Sequence, residues 1–425
     1  MTIEQLYGIF LQYPSAETDS RKLKKNDIFF ALKGPNFNGN KFAKSALEAG
    51  AAYSIVDEPD SVVSERTILV NDVLTTLHLL ARHHRLQFNI PFLAITGSNG
   101  KTTTKELIHA VLSSCIKTYT TEGNLNNHIG IPLTILKIKK DAEIAVIEMG
   151  ANHQKEIAGY CEYALPTHGI ITNCGKAHLE GFGGIEGVRK AKGELFDYLR
   201  ANKGTAFINN DYDYLNDMSK GIATIIRYGT RDAVYTGCVK KSEPFLEVCM
   251  TTGGPDTIAT QLVGDYNLPN ILAAVAVGKY FNVDDMKIKQ AIEHYHPSNS
   301  RSQLIQKETN NIILDAYNAN PSSMKAAIEN FSKLHANNKI LMLGGMAELG
   351  TESLEEHKNI IELISQHKWK HVVLVGGDFL KINHPFVHFD TSTEAKKWFQ
   401  LQHFNNATIL IKGSRSMQME KILEA

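Results

Sequence analysis

Short apolar runs alternate with amphipathic, helix-length stretches along most of the chain. The runs 28–32, 92–95 and 144–147 are almost uninterrupted series of apolar residues. Strands buried on both faces of a parallel sheet have this appearance, whereas half-exposed strands alternate apolar and polar positions. Helices are predicted between the strands, for example over 73–86. The alternation is typical of an α/β protein whose helices cover parallel sheets.

Two turn-forming stretches, at 89–91 and 296–298, divide this pattern. A small α/β unit precedes the first stretch, and the segment between them closes with a helical pair. A second doubly wound pattern follows the other stretch. At roughly 150 residues per domain, 425 residues also indicate two or three domains. We therefore predict three α/β domains, over 1–88, 89–297 and 298–425.

Composition and charge restrict the class of protein. The chain is 43% hydrophobic and 21% charged, as expected of a globular protein with buried cores. The 45 Lys and Arg residues balance 45 Asp and Glu residues, so the basic excess of a protein that binds nucleic acid or an acidic membrane is missing. The pattern shows neither a signal peptide nor an apolar run of the ~20 residues that a membrane helix needs. A cytoplasmic protein is predicted.

The five cysteines are scattered, and no CxxC pair occurs. This spacing supports neither a disulfide framework nor a zinc ribbon. Buried free thiols are expected.

The strongest chemical signal is a glycine-rich loop between a strand and a helix. The loop residues are Gly97, Ser98, Asn99, Gly100, Lys101, Thr102 and Thr103. Glycines let the backbone N–H groups turn toward an anion, Lys101 can reach the β- and γ-phosphates, and the Thr102 hydroxyl can ligate Mg²⁺. Because Ile95 occupies the position of the first glycine in GxxxxGK[ST], the loop has the shorter GxxGKT form. Nucleotide binding is favoured over a glycine turn that merely caps a helix.

Three further residues, which come later in the sequence, could complete such a nucleotide site. Glu148 ends an apolar strand, where nucleotide enzymes hold their metal. His178 lies in the loop that follows the apolar run 170–172, and Lys192 lies in a helical pattern. Taken singly, each has an ordinary interpretation: a strand-terminal carboxylate, a solvated loop histidine and a surface lysine.

Together these motifs resemble the Mur ligase family, the ATP-dependent amide-bond-forming enzymes of peptidoglycan precursor synthesis. The resemblance covers essentially the whole chain. The loop 97–103 is similar to the family's ATP loop, 121–132 to its Asn-rich motif and 148–151 to its acidic motif. The resemblance implies a small N-terminal UDP-binding α/β domain, a central P-loop-type parallel-sheet ATPase domain and a C-terminal Rossmann-like domain.

The resemblance also implies roles for single residues. ATP would be held by the loop 97–103 together with Asn270, Arg301 and Asp315. The implied Mg²⁺ ligands are Thr102, Glu148, His178 and Lys192, the lysine as a carbamate. The implied catalytic residues are Lys101, Asn127, His178, Lys192 and Arg301. Ser20, Arg21 and Asn38 would contact the UDP substrate, and Asn318 and Asn320 a dipeptide.

The motifs at 315–321, 344–350 and 412–415 are similar to those of members that add D-alanyl-D-alanine to UDP-N-acetylmuramoyl-tripeptide. The implied reaction converts ATP to ADP and phosphate through an acyl phosphate, in a monomer that uses small-molecule substrates. The Asp-Gly-His of many members is replaced at 38–40 by Asn-Gly-Asn, which removes a carboxylate and an imidazole from the expected UDP site.

Two alternatives stay open. One is a sister ligase with another amino-acid acceptor. The other is an inactive nucleotide-binding partner subunit, against which the complete set of expected metal and phosphate residues argues. The pattern leaves the third residue of the tripeptide undecided between lysine and diaminopimelate.

Overall fold

The computed structural model describes residues 1–298 and 300–424. Within these residues the strands form sheets of four, nine and six strands, here called the first, central and third sheets, and a two-stranded ribbon. Positions 299 and 425, both inside the predicted third domain, lie outside the described residues. No helix in the described part of the chain is long and apolar enough to cross a membrane.

The first sheet is parallel, in the order β1-β2-β5-β6. The strands of this region are β1 (Ala16–Glu17), β2 (Ile28–Phe30), β3 (Lys33–Gly34), β4 (Phe37–Asn38), β5 (Tyr53–Val56) and β6 (Thr67–Leu69), with β3 and β4 forming the ribbon. The helices are α1 (Ile3–Gln12), α2 (Ala43–Glu48) and α3 (Val73–Arg85). Helix α3 begins where the Asp72 side chain accepts a hydrogen bond from Thr75 N, which satisfies a free N–H of its first turn.

The central sheet has the order β15-β14-β13-β12-β11-β10-β7-β9-β8. Its strands are β7 (Phe92–Thr96), β8 (Thr118–Thr120), β9 (Ile144–Glu148), β10 (His168–Ile171), β11 (Thr205–Asn209), β12 (Thr224–Gly229), β13 (Tyr235–Lys241), β14 (Glu247–Thr252) and β15 (Thr257–Ala259). The helices are α4 (Lys101–Ser113), α5 (Gly130–Leu136), α6 (Glu156–Ala164), α7 (Leu179–Phe182), α8 (Ile185–Ala201), α9 (Asp213–Met218), α10 (Leu268–Tyr280) and α11 (Asp285–Glu293).

Strands β7 to β13 pair in parallel, whereas β14 and β15 add an antiparallel edge. The apolar runs 92–95, 144–147 and 170–172 correspond to β7, β9 and β10, which are almost entirely buried. The hydrophobic pattern predicted neither β8 nor the strands from β12 to β15.

The third sheet has the order β16-β17-β21-β18-β19-β20 and is parallel except for β16. Its strands are β16 (Gln303–Lys307), β17 (Asn310–Asp315), β18 (Lys339–Gly344), β19 (His371–Val375), β20 (Val387–Phe389) and β21 (Thr408–Lys412). The helices are α12 (Pro321–Lys333), α13 (Ser353–Ser365) and α14 (Ser392–Leu401).

All five cysteines lie in the described residues and are free. The expectation of buried thiols is confirmed for Cys161 and Cys174. It is wrong for Cys115 and Cys238, which are exposed because Cys115 follows the end of α4 and Cys238 lies on the outer face of β13.

Candidate active site

A cavity of about 870 Å³ lies between the carboxyl ends of the central strands and those of the third sheet. In open α/β sheets ligands bind at this edge, beyond the carboxyl ends of the strands. Fourteen of the predicted site residues line the cavity: Ser98, Asn99, Gly100, Lys101, Thr102, Thr103, Asn127, Glu148, His178, Asn270, Arg301, Asp315, Asn318 and Asn320. The fold therefore brings together residues that lie more than two hundred positions apart.

The glycine-rich loop connects β7 to α4. Gly97 and Gly100 both have positive φ, and a Cβ on Gly97 would lie 2.0 Å from Thr172 Oγ1. Gly100 is the N-cap of α4, and no described side chain caps that helix end, so its first N–H groups are available to an anion. Lys101 Nζ donates to the carbonyl oxygens of Gly97 at 2.7 Å and Ser98 at 3.3 Å. Burial lowers the pKa of Lys101.

Glu148 is a buried carboxylate beside this loop, with 1% of its surface exposed. Its Oε1 accepts hydrogen bonds from Thr102 Oγ1 at 3.1 Å and Asn126 Nδ2 at 2.7 Å. Its Oε2 is buried, and none of the described residues donates a hydrogen bond to it. A buried carboxylate oxygen without a donor is costly, and a cation would satisfy it. The Thr102 hydroxyl and this carboxylate are hard oxygen ligands of the kind that Mg²⁺ takes, together with substrate phosphates and waters.

His178 and Lys192 lie near this site. Lys192, on α8, is 1% exposed; its Nζ lies 3.3 Å from Ala151 O and 5.0 Å from the centre of the Phe182 ring. Burial and, to a smaller extent, the charge of Lys101 lower the pKa of Lys192 to about 7. The ordinary interpretation of Lys192 as a surface lysine is therefore wrong. The described residues contain no cluster of three or more His, Cys, Asp or Glu that could hold a metal by itself, so a cation here needs the mixed donors named above.

The third sheet contributes the opposite wall. Asp315 and Lys412 end neighbouring parallel strands in register, and Lys412 Nζ lies 2.5 Å from Asp315 Oδ2. The Arg301 guanidinium stacks 3.6 Å from the centre of the Tyr317 ring. This stacking leaves a delocalised cation facing the cavity, where Arg301 is a lining residue.

Contacts cross directly between the two walls. Asn320 Nδ2 donates to Asn99 Oδ1 at 2.7 Å, and Lys176 Nζ lies 2.5 Å from Glu356 Oε1. His178 Nδ1 lies 2.5 Å from Glu348 Oε2, and this close contact lowers the pKa of Glu348. The third sheet is therefore closed against the phosphate loop.

Comparison with known proteins agrees with this geometry. Three family models match successive parts of the chain: one described as the Mur ligase family, catalytic domain, at 15–87; one as the Mur ligase middle domain, at 95–278; and one as the Mur ligase, glutamate ligase domain, at 300–415. The matches follow the order of the first, central and third sheets along the chain.

Two curated relatives are named UDP-N-acetylmuramoyl-tripeptide–D-alanyl-D-alanine ligase. The Bacillus subtilis protein is 35% identical over 96% of this chain and 92% of its own length. The Escherichia coli protein is 35% identical over 99% of this chain and 95% of its own length. The chain belongs to the Mur ligase family.

Solved structures give the same result for the fold of this Mur ligase. A crystal structure of MurF from Acinetobacter baumannii has a TM-score of 0.88 and 30% identity, covering 96% of this chain and 92% of that one. The MurF ligase from Thermotoga maritima, solved with ADP, has a TM-score of 0.86 and 27% identity, covering 97% of both chains. The family and the three-part α/β architecture predicted from the sequence are confirmed.

Several predicted residues of the Mur ligase already have protein partners in the cavity. Asn270 Oδ1 accepts from Thr104 Oγ1 at 3.0 Å, and its Nδ2 donates to Asn267 Oδ1 at 2.9 Å. Asn127 Oδ1 accepts from the backbone N–H groups that begin α5. Asn318 Oδ1 accepts from Ala319 N at 2.9 Å. These bonds fix the amides, so a ligand would use their remaining donors and lone pairs.

The remaining predicted residues do not line the described cavity. Gly97 lies at the back of the phosphate loop, and Lys192 is buried behind the wall. Ser20 and Arg21 follow β1, where Arg21 is exposed and paired with Asp19 at 2.8 Å, and Asn38 Nδ2 donates to Glu58. The structure thus separates the expected UDP contacts from the phosphate loop.

Sequence reasoning missed one buried support of the site. Lys105 is fully buried, and its Nζ donates to Thr121 O at 2.5 Å and lies 2.7 Å from Glu106 Oε1. Thr121 Oγ1 in turn accepts from Glu148 N at 3.0 Å. The only sequence signal was a lysine one helical turn after Lys101, on a helix already assigned to phosphate binding.

Proposed function

We propose that this Mur ligase joins UDP-N-acetylmuramoyl-tripeptide to D-alanyl-D-alanine, with ATP converted to ADP and phosphate, in peptidoglycan precursor synthesis. The observation that carries the proposal is the two-walled cavity. One wall is a phosphate loop beside Glu148 Oε2, the carboxylate oxygen to which none of the described residues donates a hydrogen bond. The other wall is the motif 315–321. Relatives that are 35% identical over nearly the whole chain and named for this reaction support it.

The chemistry follows from the electrophile. A carboxylate reacts poorly with an amine, so the tripeptide carboxylate first takes the γ-phosphoryl group, and ADP leaves. The dipeptide amine then attacks the acyl carbon, an amide bond forms, and phosphate leaves with the former acyl oxygen. Lys101 exchanges its loop carbonyl partners for phosphate oxygens, and with the first N–H groups of α4 it stabilises the charge on the transferring group.

The chain's residues also fit a divalent cation. Thr102 and Glu148 would hold one Mg²⁺, and His178 and Lys192 would hold a second. When bound, the metal neutralises the phosphate and carboxylate oxygens, which otherwise repel one another. Burial lowers the pKa of Lys192 to about 7, so neutral amine is present near neutral pH. A neutral amine can add CO₂ and release a proton, giving an anionic carbamate suited to a cation site.

Closure of the third sheet against the phosphate loop would protect the acyl phosphate intermediate. Arg301 and Asp315 reach the cavity from the opposite wall, so the catalytic set is complete only when the walls meet. The contact between Asn320 and Asn99 holds them together. Closure excludes water, which would otherwise hydrolyse the intermediate. We further propose that the dipeptide lies near Asn318 and Asn320 and that the UDP end of the other substrate reaches the first sheet. A monomer with domains at 1–88, 89–297 and 298–425 carries out the reaction.

The test is phosphate release from ATP and Mg²⁺ with UDP-N-acetylmuramoyl-tripeptide, with and without D-alanyl-D-alanine. Release that requires both substrates, with the amide product found by mass spectrometry, supports the proposal. Release with another amino acid in place of the dipeptide would make the chain a sister ligase. No release with any acceptor would leave only a nucleotide-binding subunit.

A further inference from the structure

A pair of cysteines lies on the antiparallel edge of the central sheet, away from the residues that line the described cavity. Cys238 on β13 is directly opposite Cys249 on β14 in the strand register. Cys238 is exposed, Cys249 is half-buried, and both thiols are free. The residues beside Cys249, Val248 and Met250, are buried. Because side chains alternate across a strand, both thiols lie on the outer face.

The register places the two Cα atoms at a separation that a disulfide can span. Opposed residues in an antiparallel pair have Cα atoms about 4.5 or 5.5 Å apart, according to the type of pair. Disulfides need Cα separations of roughly 4.4–6.8 Å, so both types satisfy the requirement. We propose that Cys238 and Cys249 form a cross-strand dithiol, a modification site that low-molecular-mass disulfides of the glutathione class oxidise to an internal disulfide.

The reaction balances without a further oxidant. The exposed Cys238 thiolate attacks one sulfur of the small disulfide, a mixed disulfide forms, and one small thiolate leaves. The Cys249 thiolate then attacks Cys238 Sγ and displaces the second small thiolate. Two protein thiols are oxidised, and one small disulfide is reduced to two thiols. Lys240 bridges the same two strands beside the pair, through an ion pair with Glu247 at 2.8 Å.

The β13–β14 hairpin, which carries the two cysteines, also contacts the segment that follows α12, next to the third sheet. Glu243, in the loop between β13 and β14, lies 3.0 Å from His335 Nδ1. A bond between Cys238 and Cys249 fixes the strands on which this loop is held. We therefore expect oxidation to raise the thermal midpoint and to slow amide exchange in 235–252.

The experiment uses the full chain in a Cys115→Ser background, because Cys115 is the other exposed cysteine among the described residues. After removal of reductant, the protein is incubated with glutathione disulfide and mapped as peptides without reduction. The expected result is a cross-linked peptide pair that has lost two hydrogens and retains no glutathione. Cys249→Ser should instead keep a stable glutathione adduct on Cys238, because the resolving thiol is gone. Separate adducts on both cysteines, or unreacted thiols where Cys249→Ser is modified, would overturn the proposal.

Discussion

The Asn320 side-chain amide donates a 2.7 Å hydrogen bond to Asn99 Oδ1, so a residue of the loop between β17 and α12 touches the phosphate loop. Asn320 is also the N-cap of α12, where its Oδ1 accepts from Ser323 N at 3.0 Å. The oxygen of the Asn320 side-chain amide thus caps the start of α12, and its nitrogen makes the contact that closes the cavity. The cap ties the closing contact to a rigid helix rather than to a mobile loop.

Asn320→Ser separates these two functions. Serine caps helices nearly as well as asparagine but is too short to reach Asn99. We expect the thermal midpoint to stay close to wild type and the KM for ATP to rise by about 2- to 10-fold, the value of one ordinary hydrogen bond. Steady-state kinetics and a melting curve measure the two quantities. A lower midpoint with an unchanged KM would show that only the cap matters.

Lys101→Ala should lower kcat by about 10²-fold or more, because a charged donor to the transferring phosphoryl group is lost. The exposed Lys137, paired with Glu122 away from the cavity-lining residues described, gives the matched control. Lys137→Ala should retain wild-type phosphate release. Near-full activity of Lys101→Ala would show that the phosphate loop has been assigned wrongly.

The parallel strands were predictable because a strand that is buried on both faces consists of an uninterrupted run of apolar residues, as in β7 and β9. Strand β13 could not be predicted in this way. Its outward positions are polar or exposed, and its inward positions include Gly237, which packs against Leu272. Half-exposed strands of this kind carry a weak pattern that resembles loops.

The chemistry of the site was predictable only where it was local in sequence. The glycine loop is a contiguous motif, whereas the partner of Asp315 is Lys412, almost one hundred residues away. The burial of Lys192 also depends on other segments, because Phe182 on α7 and Ala151, 41 positions earlier in the chain, supply its surroundings. Such contacts exist only once the sheets are assembled.

Lys192 predicts a pH dependence of stability. Burial lowers its pKa to about 7 from 10.5, so between these values the unfolded chain holds a proton that the folded chain has released. The free energy of unfolding therefore rises with pH across this window, and the cost of burying the charge is felt in full below it. Lys192→Met lacks this contribution. Urea unfolding of both proteins in CO₂-free buffers should show a difference that changes from about pH 7 to 10 in favour of wild type. If the free energies of unfolding of the two proteins changed with pH in parallel, the lowered pKa of Lys192 would be contradicted.

Lys105→Met tests the support behind Glu148. The substitution leaves Thr121 O without its buried donor, and Thr121 Oγ1 holds Glu148 N. We expect the Mg²⁺ concentration for half-maximal activity to rise by about 10-fold, the lower range for residues that orient metal ligands. Binding of Mn²⁺ to the apoprotein, followed by electron paramagnetic resonance, should weaken in parallel. A lower thermal midpoint with unchanged Mn²⁺ binding would mean that Lys105 only stabilises the fold.

Glu348 should orient His178. Their contact uses His178 Nδ1, and none of the described residues is hydrogen-bonded to Nε2 of this cavity-lining side chain. A carboxylate against one imidazole nitrogen fixes the orientation of the ring and leaves the other nitrogen to a ligand, which is how histidine ligands are commonly held. Because Glu348 comes from the third sheet, His178 would gain this partner only when the cavity closes. Glu348→Gln should then raise the Mg²⁺ requirement by about 10- to 100-fold and lower kcat.

Glu356→Gln is the matched control for that experiment. It breaks the 2.5 Å pair with Lys176 across the same closed interface but leaves His178 and Glu348 in contact. We expect Glu356→Gln to weaken closure, seen as a higher KM for ATP, without changing the Mg²⁺ requirement. If both variants changed KM and Mg²⁺ dependence alike, Glu348 would serve only to close the cavity. A selective effect of Glu348→Gln on Mg²⁺ would couple closure of the third sheet to metal binding.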